Sequence, residues 1–189
     1  MSSICLYLVR HGQTDYNIPP KRYSGSRTDI SLNDTGRVQA ADCGKQLADI
    51  KFDVVFCSPM KRAKETCEII MQQNKYKTPI VADARLVERD LGEDYEGSLI
   101  SMDFYTDMWD ANKQHTVPKG GETVAEIGKR ANEFLADIKA KLKGKKNVLV
   151  VAHGGINMML RAYFYGAPED GQYITYRKQG NCTVDFFEL

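Results

Sequence analysis

Two of the three histidines in this 189-residue chain share one local setting, Arg10-His11-Gly12 and His153-Gly154-Gly155, each directly after an apolar run. In open α/β sheets, ligands gather beyond the carboxyl ends of strands. If the two preceding runs are parallel neighbours, both imidazoles reach one crevice. The glycines allow close backbone approach, and both following segments can present N–H groups to an anion. Arg10 adjoins His11, and Arg62 begins a helix after the Ser58-Pro59 turn. A lone histidine at a strand end is ordinarily structural, and a lone arginine ordinarily pairs at the surface. Two arginines converging on paired histidines instead form a forked clamp for phosphate oxygens.

The elements that must hold these residues follow from hydrophobic periodicity. Ile4–Val9 reads as a buried strand, followed by a polar loop through Pro19-Pro20 to about Thr28. Asn33 and Asp34 can cap a helix to about Asp49, with Val38, Ala41 and Leu47 as expected core positions. A strand at Asp53–Cys57, a helix from Lys61 to about Gln73 and a short strand at Pro79–Ala82 come next, and 83–97 reads as loop. Helices are expected at Ile100–Asn112 and Val124–Lys143, the second with Ile127, Ala131, Phe134, Leu135 and Ile138 on one face. Asn147–Ala152 is the strongest buried-strand signal, His153-Gly154-Gly155 opens a helix to about Phe164, and Thr183–Phe187 closes the chain as a strand. The alternation predicts a three-layer α/β/α sandwich with a mostly parallel sheet, in one domain over 1–189.

Composition narrows the classes. With 42% hydrophobic and 27% charged residues the chain is an ordinary globular one. A net charge of +1 gives no global field towards nucleic acid or membrane, so attraction for an anion must be local. The five cysteines have no CxxC or metal-ligand spacing and read as reduced, buried thiols of a cytoplasmic protein. The first residues carry no signal-peptide pattern, and no apolar run approaches the roughly 20 residues of a membrane helix.

The segment Leu8-Val9-Arg10-His11-Gly12-Gln13-Thr14-Asp15-Tyr16-Asn17 resembles the signature of the histidine phosphatase superfamily, which includes the cofactor-dependent phosphoglycerate mutases. The match runs on through Ser24-Gly25, Leu32-Asn33-Asp34-Thr35-Gly36, Ser58-Pro59-Met60-Lys61-Arg62-Ala63, Leu86-Val87-Glu88, Gly120-Gly121-Glu122-Thr123 and His153-Gly154-Gly155. An isolated RHG triplet says little; this ordered series spans nearly the whole chain.

The resemblance implies a phosphoglycerate mutase-like fold and a histidine acid-type phosphatase acting on small phosphomonoesters without metal or other cofactor. His11 is then the nucleophile and forms a phosphohistidine, a labile intermediate that a neutral imidazole can make. Arg10, Arg62 and His153 surround the transferring group, and like charge from the two arginines opposes an imidazolium at His11. Asn17, Ser24, Gly25 and Gly154 match positions near the phosphate or substrate. Glu88 is the expected acid for the leaving oxygen, with Glu93, Asp94 and Glu96 as nearby competitors that read instead as solvated or capping residues.

Three departures from the mutase pattern favour hydrolysis: Gly155 where mutases carry Asn, Leu91 where they carry Tyr, and Ser98-Leu99-Ile100 where a Lys is expected. A helical insert at about 98–118 is expected to set specificity, with Phe104, Tyr105, Trp109, Lys113 and His115 as candidate entrance residues. The alternatives are a phosphoglycerate mutase, an α-ribazole phosphate phosphatase and a non-catalytic module that binds phosphorylated ligands. A nucleotide-dependent oxidoreductase lacks its GxGxxG after the first strand. Expected partners are the small substrate and at most a second copy of the chain in a homodimer, with no nucleic acid or membrane.

Overall fold

The computed structural model describes residues 4–113, 119–144, 146–175 and 179–189. Five strands form the central sheet: β1 (Ile4–Arg10), β2 (Val54–Cys57), β3 (Ile80–Ala82), β4 (Lys146–Ala152) and β5 (Val184–Glu188). Their order is β3-β2-β4-β1-β5. All pairings are parallel except that of β5, which runs antiparallel to β1.

The helices are α1 (Asp34–Gln46), α2 (Lys61–Gln73), α3 (Met102–Met108), α4 (Val124–Lys141) and α5 (Gly154–Tyr165). Strand alternation sorts the core into two layers of side chains. Leu6, Leu8, Val148, Val150 and Ala152 pack on one face with Ile127, Ala131, Phe134 and Leu135 of α4 and Ile156 and Leu160 of α5. Val9, Val55, Cys57, Leu149 and Val151 pack on the other with Cys43, Ala63, Cys67 and Ile70 of α1 and α2. Strands buried on both faces read as continuous apolar runs, and β1 and β4 show it. Each fully buried Leu or Ile contributes about 1.5–3 kcal/mol.

The chain returns from β3 to insert β4 between β2 and β1. Arg10 therefore stands opposite Ala152, and the segments after β1 and β4 leave the sheet side by side. The cap expected at Asn33 or Asp34 falls to Asn33, whose Oδ1 accepts from the Gly36 N–H at 2.9 Å, and at the start of α4 Thr123 forms a capping box with Glu126.

Two expectations differ. Val38 is 61% exposed, and the buried face of α1 is Gly36, Ala40, Cys43 and Gly44. Small residues let α1 lie close against α2, so the apolar bulk of Val38 is not what marks the packed side. The helix expected at Ile100–Asn112 is confined to Met102–Met108, because Asp110 leaves it to form a bridge with Gln172. No helix among the described residues is long and apolar enough to cross a membrane.

Candidate active site

His11 continues the β1 ladder, its N–H donating to Ala152 O at 2.9 Å. Gly12 then lies backbone-to-backbone on α1: a Cβ there would stand 2.5 Å from Gly36 O. Only glycine fits, which is the physical content of the RHG triplet. The Gly12 N–H donates to Thr66 Oγ1 at 3.0 Å, and Thr66 Oγ1 donates to Arg62 O at 2.7 Å, tying the histidine turn to α2.

The His11 and His153 rings face each other, centroids 5.2 Å apart and planes tilted by 58°. His11 Nδ1 lies 2.7 Å from Gly12 O. A carbonyl only accepts, so Nδ1 carries the hydrogen and Nε2 presents its lone pair. His153 Nε2 meets Ser58 Oγ at 2.8 Å. Both rings are buried, at 5% and 0% exposure, but among polar groups. Burial, then Arg62, then Arg10 hold the His11 imidazole well below its ordinary 6.5. His153 is depressed likewise by burial, Arg62 and His11. Loss of water thus outweighs the arginine charges expected to do this.

The two arginines are anchored by carbonyls. Arg10 Nη1 donates to Gln179 O at 2.9 Å. Arg62, fully buried, donates to Thr28 O at 2.6 Å and Gly25 O at 3.1 Å. Arg10 Nε, Arg62 Nε, His153 Nδ1 and Ser24 Oγ are all buried without a partner among the described residues. Buried donors are ordinarily satisfied. Arg10 and Ser24 line the same cavity as His11, while Arg62 and the neighbouring His153 are fully buried and outside its lining; donors left over in this way can serve an oxyanion.

Glu88 lies on the loop after the 3₁₀ turn Ala84–Leu86 and lays its carboxylate on the start of α5. Oε1 accepts from the N–H groups of Arg89 (2.8 Å) and Ile156 (3.2 Å), and Oε2 from Gly155 (2.9 Å). Oε2, with one donor, is the oxygen with room for a proton. Gly154 adjoins Arg10 and Glu88: a Cβ there would stand 3.5 Å from Arg10 Nε and 3.9 Å from Glu88 Oε2. Asn17 spends its Oδ1 on the Thr14 N–H at 3.0 Å and leaves its amide NH₂ for the cavity.

A cavity of about 310 Å³ opens beside these groups, lined by Arg10, His11, Asn17, Ser24, Glu88 and Gly154 together with an apolar wall of Ile100, Met102, Tyr105, Trp109, Met158 and Ile174. Of the expected entrance residues, Tyr105 and Trp109 line it. Phe104 instead stacks on Tyr95 at 3.9 Å, and Lys113 pairs with Asp107. His115 lies outside the described residues.

The sequence profile of the histidine phosphatase superfamily (branch 1) matches residues 6–188. The chain belongs to that superfamily. A Bacillus subtilis relative, described as an uncharacterized phosphatase PhoE, is 39% identical over 171 residues, covering 89% of this chain and 81% of that protein. A 2,3-bisphosphoglycerate-dependent phosphoglycerate mutase of Rhizobium meliloti is 36% identical over 162 residues, covering 79% and 74%. The solved structure of a mycobacterial glucosyl-3-phosphoglycerate phosphatase superposes with a TM-score of 0.83 at 25% identity, covering 98% and 90%.

Around this histidine phosphatase core, several residues support the site through contacts that local sequence does not show. Glu96 accepts from the Gly25 N–H at 3.0 Å and from Thr28 Oγ1, holding the loop that carries Ser24. Arg130 pairs with Glu122 at 2.6 Å and donates to Arg85 O, Val87 O and Glu88 O. Asn181 donates to His11 O at 2.8 Å. Glu122 and Ser58 lay inside matched motifs; Asn181, far along the chain from His11, carried no local signal.

Proposed function

We propose that this chain hydrolyses small phosphomonoesters through a phosphohistidine on His11. What supports the reading is the His11 Nε2 lone pair, left free by the Gly12 carbonyl, in a cavity shared with Arg10 and Ser24 and beside His153, each with a buried donor that lacks a partner among the described residues. In the first step Nε2 forms a bond to phosphorus, the ester P–O bond breaks, and Glu88 passes its proton from Oε2 to the leaving oxygen. In the second, Glu88 takes a proton from water, the water oxygen bonds to phosphorus, and the P–N bond breaks to release phosphate. Arg10, Arg62 and His153 meet the charge on the equatorial oxygens, the largest part of catalysis in phosphoryl transfer. The neutral His11 extends activity into the acid range, as in an acid-type phosphatase.

Gly155 supports hydrolysis over mutase chemistry. A Cβ there would stand 2.5 Å from both Glu88 Oε1 and Trp109 Cη2, so the asparagine of the mutase pattern would have to displace these side chains. The apolar wall suits a substrate with a compact organic part that leaves one face unhydrated.

The test is a panel of phosphomonoesters, including phosphoglycerates, sugar phosphates and α-ribazole phosphate, assayed for phosphate release and isomerisation with a chelator present. Release should dominate without added divalent metal, and His11→Ala should abolish it. Dominant isomerisation, or activity surviving His11→Ala, would refute the reading.

A further inference from the structure

Ser58 follows β2 and meets the ring of His153 across the sheet. Both side chains are fully buried, so solvent cannot rearrange the pair. The Met60 N–H donates to Ser58 Oγ at 3.4 Å, taking one of its lone pairs. The other contact of the hydroxyl is His153 Nε2 at 2.8 Å. A serine hydroxyl has one hydrogen to place. Among the described residues its acceptor is that ring nitrogen. A hydrogen on Nε2 instead would leave the hydroxyl hydrogen buried and unmatched, which is costly.

We infer that Ser58 is a positioning residue that holds His153 as its Nδ1–H tautomer, making the second histidine a neutral hydrogen-bond donor to the transferring phosphoryl group. His153 Nδ1 is buried without a partner among the described residues, and its ring lies 5.2 Å from that of His11. The opposite tautomer would turn a lone pair towards phosphoryl oxygens and repel them. Two adjacent imidazoles thus receive opposite tasks from their neighbours. A carbonyl, which can only accept, leaves His11 with a free lone pair; a hydroxyl with its hydrogen to give leaves His153 with a free N–H. The inference rests on phosphoryl transfer at His11.

Long-range ¹H–¹⁵N spectra of the labelled wild-type protein at neutral pH read the tautomers directly, with His153→Gln assigning the second ring. The expected pattern for His153 is a protonated Nδ1 and an unprotonated Nε2. Ser58→Ala should blur that pattern towards a mixture. It should also lower kcat by about tenfold to a hundredfold on aryl and alkyl phosphates alike, less than the ~10²–10³ of deleting a donor outright, because the ring remains. Ser58→Thr, which keeps the hydroxyl, should restore the wild-type tautomer. A protonated Nε2 in the wild type would overturn the inference, as would Ser58→Ala with unchanged spectrum and kcat. If Ser58→Ala fails to fold, the wild-type spectrum alone decides. Absence of phosphoryl label on His11 sinks the parent reading instead, so the two failures are distinguishable.

Discussion

The Gly155 N–H donates to Glu88 Oε2 at 2.9 Å, so the carboxylate expected to protonate the leaving group also caps the helix that follows His153. The expected acid and His153, the N-cap residue of α5, thereby meet at one helix terminus.

Substitution at Gly155 should therefore act through Glu88. Gly155→Asn is expected to push the carboxylate off the helix and to lower kcat/KM on alkyl phosphates by about 10²-fold or more, within the range for general acid catalysis. Aryl phosphates, whose leaving groups need little protonation, should lose much less. Glu88→Gln should show the same split; equal slowing of both substrate classes would count against the acid role.

Arg130 fixes the backbone of that loop, bridging Glu122 to the carbonyls of Arg85, Val87 and Glu88. Arg130→Met should cost about 1–3 kcal/mol of stability, from carbonyl and carboxylate partners left unmatched. The surviving protein should reproduce the leaving-group split of Glu88→Gln in milder form. Chemical denaturation and a series of substituted phenyl phosphates check both parts.

The pH dependence of activity follows from His11. It must be neutral to attack, and burial with Arg62 and Arg10 keeps it so well below 6.5. The acidic limb of the kcat/KM profile should accordingly fall below pH 6.5. Arg62→Met, which removes one opposing charge, should move that limb upwards. A wild-type limb at or above 6.5 would mean that the nucleophile is not held as described.

Stability should carry the same signature with a definite sign. His11 and His153 are neutral when folded and titrate near 6.5 when unfolded. Below 6.5 the unfolded chain binds more protons, so stability falls with pH until the depressed folded values are reached. The slope is at most about 1.4 kcal/mol per pH unit for each histidine. Above 6.5 these groups add no slope. Urea melts at several pH values between 5 and 8 should show it, and His153→Asn should remove part of it. The carboxylates with lowered values, such as Asp83 beside Arg85, act at lower pH, below their ordinary 3.8.

What the sequence disclosed and what it hid divide along physical lines. β1 and β4 were legible because strands buried on both faces must be apolar throughout, and their pairing placed His11 beside His153. α4 was legible because its face carries Ile127, Phe134 and Leu135 at helical spacing. The packed side of α1 was not, because it is made of Gly36, Ala40 and Gly44, whose smallness matters only once the Gly12-Gln13 backbone is known to lie on Gly36 and α2 on Gly44. In the site, residues at strand ends could be named from type and place. Their supports could not: Glu96 under the Ser24 loop, Arg130 behind Glu88 and Asn181 on His11 O are contacts between distant segments.

Catalysis as proposed begins with transfer of the phosphoryl group to His11 Nε2. A ³²P-labelled phosphomonoester, mixed rapidly with the protein and quenched without acid, tests it most directly. Label should appear on His11 as an acid-labile, base-stable adduct within one turnover, decay as free phosphate is released, and be absent from His11→Ala. Free phosphate forming with no labelled protein at any time, or label on another residue, would contradict the account.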